Sequence, residues 1–207
     1  MTLLDIFAPT ACIGCHRLGK PLCLACANTV PITLEELEIG LHGWCATRYE
    51  ALAANIVNEV KERGRTELAS WMAAAFDSLE LPEDLTVVAV PSRAESWRKR
   101  GFVPAEEFAK RLAARHRLRF KPGVLTLTRA TRDQADLTRA ERLENLTGAM
   151  RSNSLSGRVL IVDDIVTTGS SLREAARALE SSGAEVFGFI TFAQTQRENY
   201  ARANFRA

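Results

Sequence analysis

No stretch of this 207-residue chain reaches the roughly 20 apolar residues that cross a bilayer. Membrane insertion is therefore not expected. An excess of one charge is missing as well: 27 Lys and Arg face 25 Asp and Glu, for a formal net charge of +2. Such a balance makes no global basic field of the kind that draws nucleic acid, though a local basic face stays open. The start, Met1 to Cys12, superficially resembles a lipoprotein signal. It has no cationic opening, however, and carries Asp5 inside a very short apolar run. A cytoplasmic protein is the expectation. No internal repeat and no low-complexity tract is present. With 46% hydrophobic and 25% charged residues, the composition is ordinary for a globular protein. The length suits one α/β domain with a small appendage.

Cysteine is scarce outside one place. Four of the five, Cys12, Cys15, Cys23 and Cys26, follow a C-x2-C-x7-C-x2-C pattern. Paired C-x2-C knuckles put four thiolates where tetrahedral zinc takes them, and in a reducing cytosol such spacing favours metal over disulfide. The x7 gap is short for a ribbon loop but fits a compact knuckle turning at Gly14, Gly19 and Pro21. Four thiolates leave no open coordination position, so the zinc would be structural. A vestigial site, a redox pair, and a mixed site using His16 or Cys45 are the alternatives.

Periodicity organises the rest. Residues 30–44 are mixed and read as a link. A helix is expected over 48–63, with Leu52, Ile56, Val57 and Val60 on one face, and a second apolar stripe runs from Leu68 to Phe76. Residues 85–91 read as a strand stopped by Pro91, and 92–101 as a basic loop with Arg93, Arg98, Lys99 and Arg100. Pro104 opens a helix to about His116. Val124–Thr128 alternates like a strand, and 136–150 looks helical. Strand 159–162, helix 172–181 capped by Gly183, and strand 185–192 follow. Helices alternating with strands make the fold class α/β, with a parallel sheet.

The stretch from Arg158 to Ser171 carries the chemistry. Val159, Leu160, Ile161 and Val162 read as a buried central strand. Asp163 and Asp164 stand at its carboxyl end, the place where α/β sheets bind ligands. They are acceptors suited to ribose hydroxyls or a hydrated magnesium ion. Thr167, Thr168, Gly169, Ser170 and Ser171 then open a helix, a turn rich in N–H and hydroxyl donors for phosphate. A plain helix cap needs only one such residue.

This segment resembles the phosphoribosyl-pyrophosphate (PRPP) signature of type I phosphoribosyltransferases. The order of further pieces is similar to the ComF family, phosphoribosyltransferase-like proteins associated with natural competence and DNA uptake in bacteria. Those pieces are the cysteine knuckle, Val-Lys-Glu-Arg-Gly-Arg-Thr-Glu-Leu-Ala (60–69), Val-Ala-Val-Pro (88–91), Arg-Lys-Arg-Gly-Phe (98–102) and the Arg- and Thr-rich stretch 127–146. The likeness covers nearly the whole chain. It departs at Val103-Pro104, where the family usually has Asn-Gln.

The resemblance implies a type I phosphoribosyltransferase-like open parallel sheet over 46–207 and a zinc module with linker over 1–45. It implies pyrophosphate binding by cations among Lys61, Arg98, Lys99 and Arg100, with Lys61 and Arg100 leading, and a mobile loop carrying Arg129, Arg132, Gln134 and Arg142. Magnesium-dependent phosphoribosyl transfer, with partners in single-stranded DNA and competence proteins, is one functional expectation. A nucleobase salvage enzyme and a non-catalytic PRPP or nucleotide sensor are the others. The short polar tail after Phe192 suggests that the knuckle contributes to a hood over the site.

Overall fold

The computed structural model describes residues 10–128 and 147–195. Six strands form one sheet in the order β1-β2-β8-β7-β3-β4: β1 (Glu35–Glu38), β2 (His42–Arg48), β3 (Thr86–Ala89), β4 (Arg119–Phe120), β7 (Gly157–Val166) and β8 (Ala184–Gln194). All neighbours pair in parallel except β1 and β2. Two further strands, β5 (Leu125–Leu127) and β6 (Met150–Ser152), form a separate antiparallel ribbon. The helices are α1 (Leu24–Ala27), α2 (Ala51–Arg63), α3 (Leu68–Ala74), α4 (Ala94–Arg100), α5 (Pro104–Arg115) and α6 (Ser170–Glu180).

Alternation along β7 divides the core into two layers. Leu160 and Val162 face one side, packed with Ile56, Val57 and Val60 of α2, Met72 of α3, and Phe108 and Leu112 of α5. Val159 and Ile161 face the other, against Leu172, Ala175 and Leu179 of α6 and Val124, Leu125 and Met150 at the ribbon. Both faces are covered, which is why the strand reads as an unbroken apolar run. The helix-forming stripes are the ones periodicity expects. On α2 the residues buried are Ala53, Ile56, Val57 and Val60, and Gly64 ends it in the left-handed region (φ 67°).

Several stretches differ from expectation. The link over 30–44 contains β1 and the start of β2, and residue 45, the expected module boundary, lies inside β2. The basic loop over 92–101 is mostly helix α4, capped by Gly101 at φ 77°. The strand at 159–162 extends to Val166, so Asp163 and Asp164 lie on it, paired with β8 through Asp163–Thr191. Helix α6 begins two residues early, at Ser170. Of the helix expected over 136–150, residues 136–146 lie outside the described residues, and Met150 is on β6.

The sheet's connections place the site. Helix α5 joins β3 to β4 across one face, and α6 joins β7 to β8 across the other. Between β3 and β7 the chain therefore winds away in opposite directions. A crevice opens beyond the strand ends at such a switch point.

Candidate functional site

That crevice is a cleft of about 450 Å³ at the carboxyl ends of β3 and β7. Val90, Pro91 and Ser92 line it from just past β3, Asp163 to Thr167 from the end of β7 and the residue after it, and Gly169 to Leu172 from the amino end of α6. Lys61 and Glu62 reach it from the last turn of α2, and Arg93, Ser96 and Arg100 from the N-cap and body of α4. Leu127 and Met150 close one side from the ribbon.

Lys61 and Asp164 meet across 103 residues of chain, with Nζ 3.0 Å from both carboxylate oxygens. Asp164 is buried. Burial opposes the Lys61 charge, yet the carboxylates of Asp164 and Asp163 outweigh it and hold its pKa above the ordinary value. Asp163 Oδ1 accepts the Asp164 N–H at 2.9 Å, and its other oxygen is bonded by no described residue. Burial, reinforced by the neighbouring Asp164 charge, pushes the Asp163 carboxyl up to about 8 against the pull of Lys61.

The turn after β7 is braced from behind. Gly169 has φ 73°, and a Cβ there would lie 2.5 Å from Ile39 Cδ1, so only glycine fits. The Thr168 and Ser170 hydroxyls bond each other at 2.8 Å and are buried. Arg173 donates to the Thr168 carbonyl (3.0 Å), the Ile39 carbonyl (3.1 Å) and Ser170 Oγ (3.4 Å). The turn, α6 and the β1–β2 hairpin are thereby tied together.

Expected site residues separate accordingly. Lys61, Arg100, Asp163, Asp164, Thr167, Gly169, Ser170 and Ser171 share the cleft. Thr168 supports the turn without lining the cleft, and Arg98 and Lys99 are exposed on α4, also outside the lining. Arg129, Arg132, Gln134 and Arg142 lie outside the described residues. Glu62, Ser92 and Ser96 were not foreseen. Glu62 has no sequence signal, because its role depends on Arg100, whose Nη2 donates to Glu62 Oε1 at 2.8 Å.

The knuckle stands apart. The sulfurs of Cys12, Cys15, Cys23 and Cys26 lie within 4.8 Å of one another, close enough to hold one zinc ion. His16 and Cys45 are not in that group. Cys45 is buried in the sheet, where burial pushes its thiol up to about 12, and it donates to the Thr47 carbonyl. Burial works against a Cys12 thiolate, but N–H groups of Cys15, Cys23 and Gly14 prevail and bring its pKa down to about 6. The Cys23 side chain first, then burial, pushes Cys26 up to about 12. Four sulfurs held this close are a donor set that a divalent ion would draw together. Gly14 allows the crowding, since a Cβ there would sit 2.8 Å from Cys26 Sγ.

Ile13 and Leu22 pack on the core, and Arg65 donates to the Ala11 carbonyl at 2.8 Å, which seats the knuckle beside α2. None of residues 10–30 lines the cleft. The expected contribution of the knuckle to a hood is therefore absent from the described lining; its apolar residues are taken up by the core beside α2. Among the described residues, no helix is long and apolar enough to cross a membrane.

The family model for the phosphoribosyl transferase domain matches residues 84–205. The DNA utilization protein YhgH of Escherichia coli O6:H1 is 30% identical over 196 residues, covering 84% of this chain and 85% of that protein. The protein of the same name from Salmonella typhimurium is 33% identical over 141 residues, covering 62% of this chain and 61% of its own. Among solved structures, orotate phosphoribosyltransferase from Aeropyrum pernix aligns at a TM-score of 0.38 and 16% identity, over 83% of this chain and 78% of that one.

Proposed function

The chain belongs to the phosphoribosyl transferase domain family, in its ComF branch, and from that premise we propose that the cleft binds PRPP and transfers its phosphoribosyl group. One observation carries this reading. The Asp163–Asp164 pair and the Thr167–Ser171 turn open on the same cleft, at the sheet's switch point, together with three cations from other elements, Lys61, Arg93 and Arg100.

In this reading the amino end of α6, with Thr167 and Ser171, takes the 5-phosphate. The carboxylates take the ribose hydroxyls, with Lys61 holding Asp164 in place. Arg100 takes the leaving pyrophosphate: its buried Nε has no hydrogen-bond partner among the described residues, and an orphaned buried donor is costly until an acceptor arrives. As the bond from C1 to the pyrophosphate oxygen breaks, its electron pair leaves with the pyrophosphate, and an acceptor nucleophile closes on C1. A magnesium ion bound with the diphosphate would offset the charge that builds on the leaving group, and Asp163, with one oxygen that no described residue bonds, would help hold it.

The four thiolates are proposed to hold one structural zinc. A role in DNA use is supported by the name of the Escherichia coli and Salmonella relatives and by the ComF likeness. Transfer to a salvage nucleobase and ligand sensing without turnover are the other readings.

Calorimetry with PRPP and magnesium tests the reading. Binding by the native chain and its loss in the Asp163→Ala, Asp164→Ala double variant, with the fold intact by circular dichroism, is the expected result. Native protein that takes up no PRPP would overturn it. Pyrophosphate release across a panel of bases distinguishes a salvage enzyme. A single-stranded DNA mobility shift that weakens steeply with salt distinguishes direct DNA contact.

A further inference from the structure

Six cations crowd one short stretch outside the cleft. Lys110, Arg111 and Arg115 of α5, then Arg117, Arg119 and Lys121 through β4, fall within twelve residues, and no acid lies between Glu107 and Asp133. Of the chain's 27 Lys and Arg, this leaves 21 to face all 25 acids. A molecule that is otherwise acidic gathers its positive charge at one edge of the sheet. All six cations are exposed. Arg115 pairs with Asp77, and the other five have no ion-pair partner among the described residues. Cations on an edge strand also keep foreign strands away, but one or two on β4 suffice for that, and it gives no reason for Lys110 and Arg111 on a helix. Unpaired like charges held side by side repel, and an anionic ligand removes that cost.

The course of this ridge selects the kind of anion. Helix α5 lies on the layer that contains Phe108 and Leu112, with its exposed cations on the solvent side. At its end the Leu118 N–H donates to the Ala113 carbonyl at 2.8 Å, and the chain turns sharply into β4, the edge strand beside β3. Leu118 and Phe120 enter the α5 layer, so Arg119 between them points to the other side of the sheet. Arg117, Arg119 and Lys121 stand at every second residue, about 6–7 Å apart where the chain is extended. That spacing is comparable with the step between successive phosphates of one nucleic-acid strand. The cations therefore run along the helix and round the sheet edge. A flexible single strand can follow such a bent path, whereas a duplex, stiff over about 150 base pairs, cannot. No aromatic side chain among residues 104–123 is exposed, so the contacts go to phosphate and carry no base preference.

We infer that the α5–β4 ridge binds single-stranded nucleic acid through its phosphate backbone. The inference stands apart from the PRPP reading, since none of the six cations lines the cleft.

The test follows the fluorescence anisotropy of a labelled oligothymidylate long enough to span the ridge, titrated with the full-length chain at several salt concentrations between about 50 and 200 mM. The native chain should bind, with log affinity falling linearly with log salt. Arg117→Gln with Arg119→Gln and Lys121→Gln should lower that slope by about 2, three phosphates at about 0.7 each, and weaken binding at least about tenfold at the lowest salt. Arg17→Gln with Lys20→Gln and Arg48→Gln removes the same charge from exposed positions elsewhere and should leave the slope unchanged. An unchanged slope in the ridge variant, the same fall in the control, or no binding by the native chain at the lowest salt overturns the inference. So does a duplex of equal length bound as tightly, or polyglutamate of equal charge competing as well as the oligonucleotide, which would make the ridge a surface for duplex or for acidic protein. PRPP binding with magnesium should be unchanged in the ridge variant, so the failure of either reading leaves the other standing. If that variant does not fold, Lys110→Gln with Arg111→Gln on the helix carries the same test, with an expected fall in slope of about 1.4.

Discussion

At the scale of single residues, Asp163 carries the clearest titration signature. Its folded pKa of about 8 lies well above the ordinary 3.8. Between those values the folded chain holds a proton that the unfolded chain has released, so this group's contribution is full below the lower value and lost as pH rises through the upper one. Asp163→Asn removes the titration. In metal-free buffer its melting temperature should gain on the native chain as pH rises from about 5 to about 9; a gap that stays flat across that range contradicts the assignment. The Lys61–Asp164 pair makes a second case. Lys61→Met leaves Asp164 buried without its cation, and the cost should be about 2 kcal/mol in urea unfolding, below that of a fully buried pair because a third of the lysine side chain is exposed. Adding Asp164→Asn should restore most of the loss. If the double variant is no more stable than Lys61→Met, the pair is not what holds that carboxylate.

At the scale of elements, legibility followed apolar patterning. The stripes of α2 and α5 and the run from Val159 to Val162 are visible because burial selects their spacing. Helix α4 is hidden because its seven residues include three consecutive cations and no apolar stripe, and its end is set by Gly101. Strand β1 is hidden because three of its four residues are glutamates; Leu37 alone is buried, as suits an edge strand. The acid pair and the hydroxyl turn of the site are local and readable. Lys61 and Arg100 are reached through the resemblance, but their pairing with Asp164 and Glu62 joins distant segments and is not readable. Glu174 belongs to this second class: in sequence it is one more charge on α6. In the fold it is buried, accepts the Met150 N–H at 2.9 Å and pairs with Arg177, which donates to the Met150 carbonyl. The two side chains clamp the ribbon whose Leu127 and Met150 border the cleft. Glu174→Leu should release it. Amide hydrogens at 125–127 and 150–152 should exchange at least about tenfold faster while those of α6 keep their protection. Equal loss in both would make Glu174 a general core residue.

At the scale of the whole molecule, helix α2 borders both the knuckle and the cleft. The knuckle seats beside that helix through Ile13 and Leu22 and, just past its carboxyl end, through the Arg65–Ala11 contact, and the last turn of α2 carries Lys61 and Glu62 into the cleft. No residue of the knuckle lines the cleft, so zinc should act on stability first and on ligand binding through helix position. Protein purified with zinc should hold one ion per chain by elemental analysis. Stripping it with a chelator should lower the melting temperature, since structural zinc supplies folding free energy. Cys26→Ser should do the same without chelator. The pyrophosphate affinity of the stripped protein, measured below its melting point, should fall by no more than about threefold, a coupling under about 1 kcal/mol. Loss of all binding on stripping would mean that the knuckle shapes the cleft directly. A chain that binds no zinc and melts unchanged in chelator would mean that the four thiols serve another chemistry.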